Sequence, residues 1–592
     1  MVMHLILPSP GQLMDARMRP GHLLLDAGRA LAQTCRLGES AFMRASGLAS
    51  EAAYKRATGA TGRIMQHAHI GFRDVGRTVE GMRSVRDTCA ARGVTVDRFG
   101  ITLDWSMGYP LEMRARAGRG TGIVMNDTSD FARIVNACSA ATHFGDFMLG
   151  LPGALDNTRA AIAAGVTSIG NLGQYFTFRL PHWDDDVATT EATVTALGLI
   201  AAQDAEILVH SNLDDGFAGL FVDMGCSLGM AIIEKYIIED LTGAPLSHCY
   251  GHHFSDPMSR MAFHAALRQV NDTPGTMIFG NTVAYRAADA ANYASLANYL
   301  LADIAALRRW PTGHAINPVP VTENSRIPDV DEIIDAQCFA TRLVQHAGFY
   351  QDLFDWPRVE AMATRLVDAG KRFAQDVLAG MAAAGVDIRD PAQLMLAIRR
   401  TGPRTLEALY GPGAIAPDTG SRMPVVVAQW ARELDEMAEE WLTTQGALIA
   451  CIRAAGDTVP CVCVGTSDVH EHGKYLVERA LSGLGVRIVD GGVSVDPENL
   501  VARAVAGRAD IIAVSTYNGV ALRYCREVQA AMDACGLKAG LLMGGRLNEI
   551  PSDSNSGLPV DVTGEITATG AVACMGLDDM TAAIMDVLPV SA

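Results

Sequence analysis

Asp468 and His470 are the pair in this 592-residue chain best placed to do chemistry. They sit in Ser467-Asp468-Val469-His470-Glu471-His472-Gly473. An Asp two residues before a His can accept the proton on one ring nitrogen. That fixes the tautomer and makes the other nitrogen a better metal ligand. The same residues also suit a helix N-cap by Ser467 or Asp468 beside a surface His, so the loop alone leaves both readings open.

The surrounding elements weigh on that choice. The apolar run Val459 to Gly465 reads as a strand leading into the loop, and Lys474 to Gly483 as a helix with Leu476, Val477, Ala480 and Leu481 on one face. A strand at 486–489, a helix at 497–506, a strand at 510–515, a helix at 520–535 and the run Ala539 to Gly545 follow. Repeated β-α units with short loops predict a doubly wound, Rossmann-like (flavodoxin-like) parallel sheet. Such sheets bind ligands beyond their C-terminal strand ends, where His470, Ser515, Gly544 and Gly545 fall.

Asp-x-His-x-x-Gly at 468–473, Ser515-Thr516-Tyr517 and Gly544-Gly545 together resemble the cobalamin-binding pattern of B12-dependent mutases and methyltransferases. The middle part is usually Ser-x-Leu, so Tyr517 departs from it. The resemblance implies that His470 is the lower axial ligand of cobalt and that Asp468 orients it. Ser467, Gly473, Ser515, Tyr517, Gly544 and Gly545 would complete the cofactor site. Residues 459–592 resemble the small subunit of the glutamate mutase (methylaspartate mutase) family. More weakly, the preceding region resembles its large barrel subunit. Gly219 to Glu234 is similar to a strand-to-helix unit ending in Ala-Ile-Ile-Glu. Val321 to Pro328 is similar to a stretch whose Glu, here Glu323, contacts the adenosyl ribose. A neighbouring family Lys would fall on Val319 and is absent. Both parts fused in one chain imply adenosylcobalamin as cofactor.

Composition bounds the rest. A formal net charge of −18 argues against nucleic-acid or anionic-membrane partners. No apolar run reaches the roughly 18 residues of a membrane span, and the N-terminus lacks the basic region of a signal peptide. Twelve scattered Cys, with Cys461 and Cys463 read as reduced thiols, suit a cytoplasmic protein. Strand-like runs at 99–104, 146–150, 166–169, 205–210 and 276–280 alternate with helical stretches. This predicts a TIM-like (β/α)8 barrel, with an open doubly wound sheet as the alternative. Asp104, Gly150, His210, Asn212 and Asn281 fall at its strand ends. The expected division is an N-terminal helical extension at 1–60, the barrel at 61–356, a helical linker region at 357–455 and the cobalamin-binding domain at 456–592.

The substrate side departs from the family. Glutamate mutase clamps two carboxylates with three arginines, because Arg forks hold carboxylates bidentately. Arg73 aligns with one. The others fall near Met107-Gly108 and within 147–153, where no Arg stands, and a family Glu falls near Asn171 to Gln174. Each lost charge-assisted contact is worth roughly 1.5–3 kcal/mol, so glutamate is not the expected substrate. His248, His252 and His253 read as a hydrogen-bonding loop facing substrate rather than a metal site, with His248 or His252 on the migrating group. Tyr175 and Arg179 could add a stacking wall and an anion contact.

The reading is an adenosylcobalamin-dependent radical carbon-skeleton mutase acting on a small polar, carboxylate-bearing molecule. Arg73, Glu323 and His252 are its candidate catalytic residues, and a homodimer is expected. A corrinoid methyltransferase is the runner-up, with a non-enzymatic corrinoid sensor or carrier third.

Overall fold

The computed structural model describes residues 8–588, apart from 118, 119, 121, 255, 286, 287, 325, 418, 469, 518 and 551–558. The chain forms two compact units. One runs to Leu180 and continues over Asp185–Gln429; the other combines Pro181–Asp184 with the chain from Trp430 onward.

The first unit holds strands β1 (Met65–Ile70), β2 (Arg98–Ile101), β3 (Ala141–His143), β4 (Ser168–Ile169), β5 (Leu208–Asn212), β6 (Leu246–Cys249), β7 (Met277–Ile278) and β8 (Ala315–Ile316). They form two parallel sheets, ordered β3-β2-β1-β8-β7 and β4-β5-β6. Isolated parallel bridges link Phe144 to Ile169 and Tyr250 to Ile278, at the ends of β3 and β6. Helices such as Val75–Ala91, Ala154–Ala164 and Asp289–Arg309 return the chain between strands, as parallel pairing requires.

Some helices are apolar on more than one side because a second layer covers them. Asp186–Ala201 buries Val187, Val194, Leu197 and Leu199. The helix Gly21–Leu31 lies close against it, for a Cβ on Gly28 would fall 2.1 Å from the Thr195 carbonyl oxygen. Trp356–Ala383, Pro391–Thr401 and Pro403–Tyr410, within the stretch expected to be a linker, pack into this first unit. In the N-terminal helix Glu51–Ala60, Lys55 is buried and donates to the carbonyls of Thr276 and Gly313, each at 2.9 Å. Glu51 Oε1 forms an ion pair with Arg98, 2.8 Å from its Nε. A charged plug thus ties that helix to the strands.

One sequence expectation is corrected here. Residues 146–150 are not a strand. The strand lies earlier, at Ala141–His143, and the preceding helix stops at Val135. Phe147 at φ 60° and Gly150 at φ 77° turn the chain, so Met148 and Leu149 are buried from a loop.

In the second unit the strands are β9 (Cys461–Thr466), β10 (Arg487–Gly492), β11 (Ile511–Thr516), β12 (Gly540–Gly545), a hairpin of β13 (Asn548–Glu549) and β14 (Val560–Asp561), and β15 (Val572–Cys574). The main sheet is parallel, in the order β10-β9-β11-β12-β15. Cys461, Cys463, Ile512 and Val514 pack on one face; Val462, Val464, Ile511 and Ala513 pack on the other. Cover on both faces explains why these strands read as continuous apolar runs. All twelve cysteines are free thiols, and no described helix is long and apolar enough to cross a membrane.

Candidate functional site

The order of the second unit's sheet reverses between β9 and β11, which opens a crevice beyond their C-terminal ends. The loop after β9 is anchored there by Ser467 N, which donates to Ser515 O at 3.1 Å. Asp468, nearly buried, then works on both sides of the crevice. Its Oδ1 accepts His470 Nδ1 at 2.7 Å and His470 N at 3.0 Å. Its Oδ2 accepts Tyr517 N at 2.8 Å and Ser467 Oγ at 3.2 Å. Burial pushes this carboxyl up, but His470 and the backbone N–H donors outweigh it, so the group sits below its ordinary value. An ionised Asp468 accepts a hydrogen bond from Nδ1–H and so leaves Nε2 as the ring nitrogen with a lone pair. The His470 side chain is 38% exposed, so that nitrogen is reachable.

Tyr517 lies against the candidate ligand. Its ring lies 4.3 Å from the His470 ring at 33°, and the Arg546 guanidinium stands 4.5 Å from the Tyr517 ring centre. The departure from Leu therefore falls on the imidazole itself. Val469 and Asn518, in the two loops, lie outside the described residues.

The glycines have separable reasons. A Cβ on Gly473 would fall 2.2 Å from Ser515 Oγ, so the helix His472–Leu484 approaches β11 this closely only without a side chain there. Gly545 has φ 92°, and its Cβ would fall 2.3 Å from Thr516 O. Gly544 differs: the nearest atom to its Cβ would be 3.6 Å away, so among the described residues packing does not demand glycine there. Among the described residues, Thr516 Oγ1 beside it is buried without a hydrogen-bond partner. An oriented imidazole, a glycine that packing does not demand and an unsatisfied hydroxyl fit a corrinoid with a polar tail.

Residues 459–572 match the family model for the B12 binding domain. The chain carries a cobalamin-binding domain at its C-terminal end. Among solved structures, a "novel cobalamin-binding protein from Desulfitobacterium hafniense DCB-2" is similar at 20% identity. The similarity covers 27% of this chain and 80% of that one, with a TM-score of 0.19.

The first unit holds a second polar constellation, at the C-terminal strand ends. His69 from β1, His143 from β3, His210 from β5 and Phe279 after β7 line one cavity together with Asp146 and Asn212. Arg98 Nη1 donates to His67 Nδ1 at 3.0 Å, and His67 and His69 meet through their Nε2 atoms at 3.4 Å. Burial lowers His69 to about 4 and holds His67, His143 and His210 well below the usual imidazole range, so all four are neutral. Asn171 Nδ2 donates to Asp215 Oδ2 at 2.9 Å and to Asp146 Oδ1 at 3.4 Å. Burial raises both carboxyls; Asp215 is raised further by Asp146 and Asp214.

Of the three candidate catalytic residues, His252 meets this cluster: its backbone N donates to Asp214 Oδ2 at 2.8 Å. Its Nδ1 lies 3.3 Å from Gly280 O and 3.2 Å from Thr282 Oγ1. Arg73 is half-buried after β1 and donates from Nη2 to Gly120 O at 3.0 Å. Glu323 is exposed in a turn after β8. Two further expectations are corrected. Tyr175 is fully buried with its hydroxyl 2.6 Å from Thr190 Oγ1, so it is core rather than a stacking wall. His248 is buried between Glu234 Oε2 at 3.2 Å and Asn271 Nδ2 at 3.0 Å, which occupies both ring nitrogens. His143, Asp146 and Asp215 were not singled out from sequence. Misplacing the strand at 146–150 hid the first two; the only local sign of the third was Asp214-Asp215 beside Asn212.

Proposed function

We propose that this chain is an adenosylcobalamin-dependent radical carbon-skeleton mutase, acting on a small carboxylate-bearing substrate other than glutamate. In this reading β1–β8 form a (β/α)8 barrel that encloses the substrate. The observation that carries it is the Asp468–His470 pair at 2.7 Å, set at the reversal of the sheet order with Nε2 available to cobalt. Support for the barrel comes from strand pairings and bridges that join each strand to the next, and from one cavity lined from β1, β3, β5 and the segment after β7.

Bound, adenosylcobalamin supplies a cobalt–carbon bond whose homolysis starts hydrogen abstraction. The residues do the rest. His470 Nε2 would hold the cobalt, and Asp468 would keep the proton on Nδ1. Ser515, Gly544 and Gly545 receive the tail. Glu323 binds the adenosyl ribose, and Arg73 pairs with a substrate carboxylate. His252, held from Gly280 and Thr282, faces the migrating group. The buried strand ends would exclude water from reactive species.

The test is electron paramagnetic resonance on the full chain frozen after anaerobic mixing with adenosylcobalamin and a panel of small acids. The expected result is a cobalt(II)–organic radical signal split by one histidine nitrogen. No radical with any acid, together with demethylation of methylcobalamin by a thiol or amine acceptor, would overturn the reading.

A further inference from the structure

We propose that Cys89 and Cys338 are a redox-active pair that a hydroperoxide converts into a reversible disulfide, stapling the helix Val75–Ala91 to the helix Val330–His346. Both helices belong to the first unit, and the inference does not depend on the mutase reading.

Helix register makes the first argument. Arg77 meets Asp329, with Nη2 3.6 Å from Oδ1, and a Cβ on Gly81 would fall 3.4 Å from Val330 Cγ2. Further along both helices, Arg92 Nη1 lies 3.5 Å from Asp335 Oδ1 and 3.9 Å from Cys338 Sγ. The partners advance together, so the helices run parallel. Cys89 and Cys338 each stand eight residues beyond Gly81 and Val330. That step carries both to the same level of the seam and returns them to its face. Cys89 lies in the apolar core against which Cys338 packs.

The surroundings of the two thiols make the second. Cys89 is fully buried. Burial first, and then Cys338 beside it, push its thiol up to about 12, so it stays neutral. Cys338 is partly exposed, and an oxidant reaches its sulfur first. Arg92 gives an anionic sulfur there a positive partner.

The chemistry follows from that asymmetry. The Cys338 sulfur, having lost its proton to solvent, attacks one peroxide oxygen. An S–O bond forms as the O–O bond breaks, and the other oxygen leaves and takes up a proton. Cys89 then attacks the sulfenic acid: the S–S bond forms, the S–O bond breaks, and the oxygen departs with the Cys89 proton as water. The two thiols lose two electrons and the peroxide gains them. Exchange with a small thiol reverses the step.

Position gives the staple a consequence. Gln337, next to Cys338, donates to His67 O at 2.9 Å, and its Oε1 accepts from Gln66 Nε2 at 3.0 Å. The helix being fastened is thus the one that grips β1, the strand of His67 and His69. The closed loop contains β2 to β8, so oxidation constrains most of the unfolded first unit.

Peptide mapping of the full chain tests this. Cys451→Ser with Cys535→Ser removes the two exposed thiols. The reduced chain is treated with hydrogen peroxide, remaining thiols are alkylated, and the digest is read by mass spectrometry without reductant. We expect one peptide pair joined through Cys89 and Cys338, which dithiothreitol separates, and a raised denaturant midpoint that dithiothreitol returns. Cys89→Ser should leave Cys338 as a sulfenic acid that dimedone traps; with Cys89 present that adduct should be lost. Peroxide that leaves both thiols open to alkylation overturns the proposal. So does a dimedone adduct that forms equally with and without Cys89, or either cysteine joined to a third one instead.

Discussion

Asp468 and Asp215 are the same residue type in two units, and their surroundings drive them in opposite directions. Asp468 is nearly buried, yet it accepts from His470 and from backbone N–H groups and sits below its ordinary value. Asp215 is buried beside Asp146 and Asp214 and is raised well above it. The Asp468–His470 pair is electrostatically complete before any ligand arrives. The chamber of the first unit is not, because its carboxyls face each other and neutral imidazoles. Burial alone thus does not say what a carboxylate is for; the donors around it do.

The sharpest break in that comparison is His470→Ala. It should abolish the histidine nitrogen splitting in the spectrum of the chain loaded with cobalt(II) corrinoid; persistent splitting would refute the ligand assignment. Next comes Asp468→Asn, which removes the orienting carboxylate. Corrinoid affinity should fall about 10–100-fold, read by titrating the change in the corrinoid absorption spectrum.

Stability should separate the two aspartates by sign. The lowered Asp468 contributes stability that is present above its unfolded value, about 3.9, and lost as pH falls through its folded value. The raised Asp215 does the reverse: its contribution is present below about pH 3.9 and lost as pH rises. At pH 7, Asp468→Asn should therefore destabilise the second unit, while Asp215→Asn stabilises the first. Hydrogen exchange read segment by segment checks both, and shifts of the same sign would dissolve the contrast.

Two smaller effects sharpen the cofactor side. Gly473→Ala drives a methyl against Ser515 Oγ and should cost about 1–3 kcal/mol; Gly473→Ala with Ser515→Ala should recover most of that in denaturant unfolding. Tyr517→Leu removes the ring beside His470 and should change corrinoid binding by the about 0.5–1.5 kcal/mol of an aromatic pair. An unchanged affinity would show that the ring contact does not contribute to corrinoid binding.

The second unit was far more legible than the first. Its first four strands are six residues each, and β9, β11 and the middle of β12 are buried, so these stand out as apolar runs between turn residues. The ligand loop is local: Asp468 and His470 are two residues apart, and their contact follows from that spacing. β15 escaped because it has three residues and exists through its pairing with Leu542 to Gly544. In the first unit β4, β7 and β8 are two residues long, too short for any periodic signal, and β3 was placed several residues late.

What the sequence by itself determined is what short range determines: the β-α alternation, the oriented histidine, and the glycines at Gly473 and Gly545 that close approach requires. Only the tertiary structure decided that Tyr517 lies on His470 and that Tyr175 and His248 are core. It alone joined Asp215 to Asp146, on a distant segment, through Asn171. The reason is physical. A side chain's neighbours two residues away are set by backbone geometry, whereas those seventy residues away are set by how whole strands and helices pack.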